Sequence, residues 1–376
     1  MKPADPEMQA WLALAAAPGI DAALASVLVG RFGSAAACLE ASTASLAACG
    51  LDAKAVGRLR SPDPNRIQAA LRWREAPANR LVTVADAAYP AQLRTISDAP
   101  VLLFVAGDPA ALAGTQVAIV GSRRPTPAGR ETAFDFAAQL SRSGLVVTSG
   151  LAAGIDAAAH RGALAAGGQT VAVCGTGLDQ VYPAANSSLA AAIADQGALV
   201  SEFPPGSPPR AANFPRRNRL ISGLALGVVV VEAAYRSGSL ITARLAAEQG
   251  REVFALPGSV HNPMARGCHR LIRDGARLVE TPGEVLQGLQ QDLFQALSDV
   301  PGPDARAPAD SAGRLDSDSK ILLNACGFGP VDADVLVERT GFSPSAVASM
   351  LLLLELRGEI EPSAGGSYCR LPARPR

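Results

Sequence analysis

What most constrains this chain is a run of short apolar segments separated by helical stretches. VAIVG (117–121), LVVTSG (145–150), TVAVCG (170–175), ALVSEF (198–203), GVVVVEA (227–233) and EVFALPG (252–258) are β-rich, and amphipathic stretches such as ETAFDFAAQLSRS and SSLAAAIADQG lie between them. Strands that are apolar along their whole length must be covered on both faces. Alternation with helices supplies that cover and makes the sheet parallel. The expected fold class is therefore α/β: an extended Rossmann-like, doubly wound, mostly parallel sheet. LVTV and VLLFVAG upstream add further strands.

The flanks have a different texture. Residues 8–75 are alanine-rich and helical by pattern, and PGIDAALASVLVGRFGS places a glycine turn before an apolar helix and another glycine after it. That resembles a SAM-like or helix-hairpin-helix bundle, although a plain helical interaction domain is the stronger reading. Residues 301–319 are rich in Pro, Asp, Ala and Ser and read as a linker. Beyond them KILLNACGF, DADVLVERTGF and SPSAVASMLLLLELRGEIE are helix-like, with Ser343-Pro344 as a helix start. GEIEPSAGGSYCRL then gives two short strands around a Gly-Gly turn, completing a winged-helix pattern. The expected organisation is a helical domain at 1–78, the Rossmann-like core at 79–295, a linker at 296–319 and a winged-helix-like domain at 320–376.

Formal charge cancels, with 34 Lys+Arg against 34 Asp+Glu, which taken whole argues against a nucleic-acid binder. Divided, the sum changes sign: residues 115–280 hold 16 arginines, no lysine and 11 carboxylates, a surplus of five. Only Lys2, Lys54 and Lys320 are lysines, so arginine supplies the positive charge of this region. The cysteines Cys38, Cys49, Cys174, Cys268, Cys326 and Cys369 show no CxxC pair and read as reduced residues of a cytoplasmic protein. WLALAAAPG imitates a signal peptide, but Asp5 and Glu7 precede it and its apolar stretch is too short. No apolar run approaches the roughly 20 residues needed to span a bilayer.

In an open α/β sheet, ligands bind beyond the carboxyl ends of the strands. Here those ends are GSRRPTPAG, SGLAAGID, GTGLDQ, EFPPGSPPR, EAAYRSGSLIT and PGSVHNPMARG, rich in Gly and Ser and several bearing Arg. Such loops let backbone N–H groups approach an anion, so the set points to phosphates. The dinucleotide fingerprint fails at Gln180, and neither GxxxxGK[ST] nor GxSxG is present. His160 reads as a packing or capping residue, and a Cys268 pair with His261 or His269 is a weak alternative. Glu232, at a strand end, reads as orienting loop backbone. PPRAANFPRRNRLISG surrounds Phe214 with Arg210, Arg216, Arg217 and Arg219. A ring for bases among cations for phosphates suits single-stranded nucleic acid.

These motifs, with VVVEAAYRSGSLITARLAAEQGREVFALPG and GCHRLIRDGA, resemble the DprA (Smf) family of DNA-processing proteins over roughly 80–290. The resemblance implies a non-enzymatic recombination mediator without cofactor, metal or catalytic residues. It would bind single-stranded DNA in natural transformation and homologous recombination, protect it, help load the RecA recombinase, and form a homodimer through the Rossmann-like domain. Carried onto this sequence, Ser122 and Arg123 would hold phosphate, and Gly150 and Gly154 would admit the strand. Phe214 would stack on a base, with Arg216, Arg217 and Arg219 on phosphates, and Asn218 on a base or positioning the loop. Gly175, Gly177, Ser237, Gly238 and Thr242 would shape the pocket; tight turns alone are the alternative use of the glycines. Ala153 and Ala265 depart from the family pattern and leave the detailed contacts open. Two rival readings remain. One is a nucleotide phosphoribohydrolase of the lysine-decarboxylase-like group, against which stands the lack of PGGxGTxxE. The other is an interaction scaffold, favoured for the winged helix by its acidic Asp332, Asp334 and Glu338.

Overall fold

The computed structural model describes residues 5–298, 317–326, 331–356, 360–363 and 367–370. The expected linker and the Gly-Gly turn fall largely or wholly outside these. Contacts divide the chain into two compact units, Met1–Val300 and Pro301–Arg376.

The first unit opens with six helices: α1 (Pro6–Ala16), α2 (Ala22–Phe32), α3 (Ala35–Glu40), α4 (Thr43–Ala47), α5 (Ala53–Arg60) and α6 (Pro64–Arg74). Each begins on a short polar side chain, Asp5, Asp21, Ser34, Ser42, Asp52 and Asp63 in turn, which accepts a backbone N–H of the first turn. These caps satisfy donors that a short helix otherwise leaves open.

The sheet follows, with β1 (Asn79–Thr83), α7 (Ala91–Arg94), β2 (Leu102–Gly107), β3 (Gln116–Val120), α8 (Pro127–Arg142), β4 (Val146–Ser149), α9 (Ile155–Ala165) and β5 (Thr170–Val173). It continues with α10 (Ser187–Gln196), β6 (Ala198–Ser201), α11 (Asn213–Leu224), β7 (Gly227–Val230), α12 (Ser239–Glu248), β8 (Glu252–Ala255), α13 (Arg266–Arg273), β9 (Arg277–Leu278) and α14 (Pro282–Ser298). Nine strands lie in the order β1-β2-β6-β5-β4-β3-β7-β8-β9. The strands from β3 onward run parallel, while β1 and β2 join antiparallel at one side. The chain winds outward from β3 through β4, β5 and β6, then returns to lay β7 on the other flank of β3. That reversal opens a crevice beyond the carboxyl ends of β3 and β7.

Both faces are covered, as continuous apolar strands require. Along β3, Ala118 and Val120 join a core that includes Leu220 and Leu224 of α11, Ala243 of α12 and the N-terminal helices. Val117 and Ile119 join a second core with Phe136 and Leu140 of α8, Ala159 of α9 and Leu289 of α14. The N-terminal helices thus share their apolar core with the sheet rather than closing one of their own.

In the second unit α15 (Ser317–Cys326), α16 (Ala333–Thr340) and α17 (Pro344–Leu356) pack with a three-stranded sheet of β10 (Val331–Asp332), β11 (Ile360–Ser363) and β12 (Ser367–Arg370). Leu322, Leu336, Leu351, Leu354 and Ile360 form its core, giving a winged helix. Among the described residues no helix is long and apolar enough to cross a membrane.

Candidate nucleic-acid interface

The loop from β3 to α8 is tied across the crevice to the end of β7. Ser122 donates its N–H to the Glu232 carbonyl at 2.7 Å. Thr126 donates its N–H and hydroxyl to the two Glu232 carboxylate oxygens at 2.8 and 2.7 Å, and Asn262 donates to Oε1 at 3.3 Å. Glu232 therefore orients loop backbone, as its position at a strand end suggested. The Ser122 hydroxyl accepts from the N–H of Arg124 at 3.0 Å and faces the Met264 sulfur at 3.6 Å. It is buried, which corrects its expected part as a phosphate ligand: it fixes the turn that presents Arg123 and Arg124.

The SGLAAGID loop is buried at Gly150 and Leu151 and reaches the surface at Ala153. A Cβ on Gly150 would stand 2.7 Å from the Arg217 guanidinium, and one on Gly154 would strike the backbone of Ser122 and Arg123 at 2.3–2.8 Å. Gly154 has φ +85°, and Leu151 is held at φ 58° with its carbonyl accepting from Asn186 at 2.9 Å. Asp156 accepts the N–H groups of Gly150 and Ala152 at 3.1 and 3.4 Å. Burial pushes its carboxyl up, against the pull of Arg217. The space above Gly150 is filled by the protein's own Arg217, whereas Gly154 borders a cavity lined by Arg123, Arg124, Arg130 and Arg161.

Arg217 was expected on phosphate, but it is 3% exposed. It donates to the carbonyls of Gly150 and Val173 and, at 3.2 Å, to the Asn218 side chain. Arg219, also expected on phosphate, is 6% exposed and pairs with Asp98 at 2.8 Å and Glu202 at 2.5 Å. Both were misplaced because a run of charges reads as a solvated face, whereas α11 turns these two inward. Arg216 stays largely exposed, pairing with Glu202 at 3.1 Å. Asn218 joins Arg217 to the Gly238 carbonyl, its amide 3.4 Å away, and so positions the loop.

Phe214, at the start of α11, is half-buried. Its ring rests on Gly175, where a Cβ would come within 3.0 Å of it. The Tyr182 ring lies 5.5 Å from it between centroids, and the Arg123 and Arg217 guanidinium carbons lie 5.6 and 5.9 Å from its centre. Gly177 lets the loop after β5 approach the Pro204 backbone. Arg123 also borders a cavity of about 410 Å³ shared with Arg124, Arg130 and Arg161. All four are exposed and, among the described residues, make no ion pair. Arg130 and Arg161 come from α8 and α9, separate segments that no sequence motif joins. Arg124, Arg130, Arg161 and Tyr182 are the residues that the sequence reading missed.

The remaining expected residues lie elsewhere. Ser237 and Gly238 border a different groove of about 1130 Å³ between α12 and α13, and Thr242 is buried in α12. Cys268 points its sulfur at the carbonyls of Val230 and Val231, while His269 reaches Gly258. Burial pushes the Cys268 thiol up to about 11, away from thiolate chemistry. His160 is a packing residue: its Nδ1 meets the Thr170 hydroxyl at 2.7 Å.

The family model described as DNA recombination-mediator protein A matches residues 80–290, and the DprA winged helix domain matches 304–366. Protein Smf of Escherichia coli is 45% identical over 323 residues, 86% of this chain and 85% of that protein. The solved DNA processing protein A of Streptococcus pneumoniae superposes with TM-score 0.64 and 38% identity, covering 76% of this chain and 98% of that one. That of Helicobacter pylori, whose structure was reported for its single-stranded DNA binding mode, gives TM-score 0.52 and 30% identity over 57% and 97%. On sequence, fold and the order of its motifs, the chain belongs to the DprA (Smf) family.

Proposed function

We propose that this protein binds single-stranded DNA without catalysis and acts as a recombination mediator, protecting the strand and helping to load RecA in homologous recombination and natural transformation. One observation carries the reading: a half-buried ring, Phe214, seated on Gly175 beside Tyr182, shares Arg123 with a cluster of unpaired arginines. The ring stacks on a base and the guanidiniums take successive phosphates, so binding tolerates any sequence. Arg217, Arg219, Gly150, Gly154 and Ser122 serve by holding this surface in place. The engagement of Glu232 with Thr126 and Asn262, and the inward sulfur of Cys268, favour binding over glycosidic cleavage.

We also propose a homodimer through the sheet domain. Tyr235, Val260 and Leu278 are 56%, 72% and 46% exposed, and Tyr235 and Leu278 border one cavity of about 560 Å³ beside the open edge of β9. Exposed apolar side chains at and beside an unpaired strand edge call for a partner.

Salt-titrated binding to oligo-dT tests the main reading. Phe214→Ala should weaken binding roughly 5- to 160-fold, the worth of one stacked base, and leave the log–log salt slope unchanged. Absence of binding at low salt, with hydrolysis of a nucleoside monophosphate, would replace this reading with the enzyme.

A further inference from the structure

Another cavity, of about 440 Å³, lies between α1 and α6 on one side and the proline-rich loop after β6 on the other. Its volume falls within the range of small-ligand pockets, about 300–1,000 Å³. Leu12, Ile67 and Phe104 give it apolar surface, and opposite them Phe203 carries the Arg216 guanidinium over its ring at 5.7 Å. Arg66 and Arg210 add cations from the two sides. Glu202 borders it with a side chain only 4% exposed: Oε2 takes Arg216 and Arg219, while Oε1 has no hydrogen-bond partner among the described residues. Glu202 thereby holds Arg216 at the wall of the cavity.

This cavity lies beside the Phe214 platform, reached through the residues on either side of Phe214 in α11. Asn213 borders it and donates its amide to the carbonyl of Gly175, the seat of Phe214, at 3.0 Å. Arg216, two residues beyond Phe214, borders it as well. We propose that the cavity is a second nucleobase subsite, which takes a base from the same single strand that crosses Phe214 and holds it between the N-terminal helices and the Phe203–Arg216 stack. Apolar walls suit a base, and the flanking arginines suit its phosphates. The N-terminal helices thereby become part of the binding surface. The proposal rests on the single-strand reading above.

The test uses the full chain and fluorescent oligo-dT of increasing length. Ala16→Trp fills the cavity from an exposed position at the end of α1. On strands too short to span both sites the variant should match the wild type. On longer strands it should lose roughly 5- to 160-fold, the worth of one stacked base. Equal affinities at every length overturn the subsite. Independently, 5-iodouracil placed along the strand should crosslink the wild type at Phe203 from one position and at Phe214 or Tyr182 from a neighbouring one. Crosslinks confined to Phe214 and Tyr182 overturn the subsite and leave the platform standing; no binding at any length overturns both.

Discussion

Arg123 and Arg217 both approach the Phe214 ring, yet burial gives them different work. Arg217, 3% exposed, closes two buried carbonyls and faces Asp156. Arg217→Ala strands those acceptors, each worth about 1–3 kcal/mol, so the variant should lose about 2–6 kcal/mol of stability by urea unfolding. Its folded fraction should keep the wild-type salt slope. Arg123→Ala should do the reverse, leaving stability unchanged and shrinking the slope by about 0.7, one phosphate on a single strand. A flattened slope in the Arg217 variant would return that residue to the DNA. His160 supplies a pH signature. Burial, helped by Arg217 and Arg161, holds its imidazole down at about 3, so the folded protein refuses a proton that the unfolded chain accepts below about pH 6.5. Its contribution is full above that pH and is lost as pH falls toward the folded value, by about 1.4 kcal/mol per unit. The stability gap between wild type and His160→Gln should therefore narrow by about 1 kcal/mol between pH 6.5 and 5.5, the first unit below the unfolded value. A constant gap would mean that the imidazole is protonated within the fold.

At the scale of elements, the arginine surface depends on how one loop is tethered. The β3–α8 loop is held by the carboxylate at the end of β7, so Glu232→Ala should raise hydrogen exchange at residues 122–126. It should also weaken DNA binding about tenfold at every salt concentration while keeping the slope, because the arginines survive but are no longer pre-set. Unchanged exchange in that loop would assign its order to other contacts. The strands β3 to β8 were legible because each is apolar on both faces, and the glycine-rich turns marked their carboxyl ends. β9, with only two residues, offered no pattern. The inward turn of Arg217 left a trace that the charge run masked. Positions 217, 220, 221 and 224 follow helical spacing, and Leu220, Ile221 and Leu224 are the buried face of α11. The grouping of Arg124 and Arg130 with Arg161 had no such trace, since only the packing of α8 on α9 brings them to one cavity.

Across the whole molecule, the zero net charge conceals a basic sheet domain, and the two ends of that sheet are not alike. On one side β1 is flanked by α6, while on the other β9 ends the sheet with Leu278 46% exposed. If that edge joins two copies, a dimer carries two arginine rims, and one long strand can engage both. The second engagement is then intramolecular, so affinity for long strands exceeds that for short ones without any new contact. Leu278→Glu tests this at an exposed position that the fold does not need. Sedimentation should show the variant as a monomer where the wild type is a dimer. Binding to a strand that fills one rim should be unchanged, and binding to a strand long enough for two should fall at least tenfold. A variant that stays dimeric would place the interface away from β9. A monomer that keeps the full long-strand affinity would mean that each rim works alone.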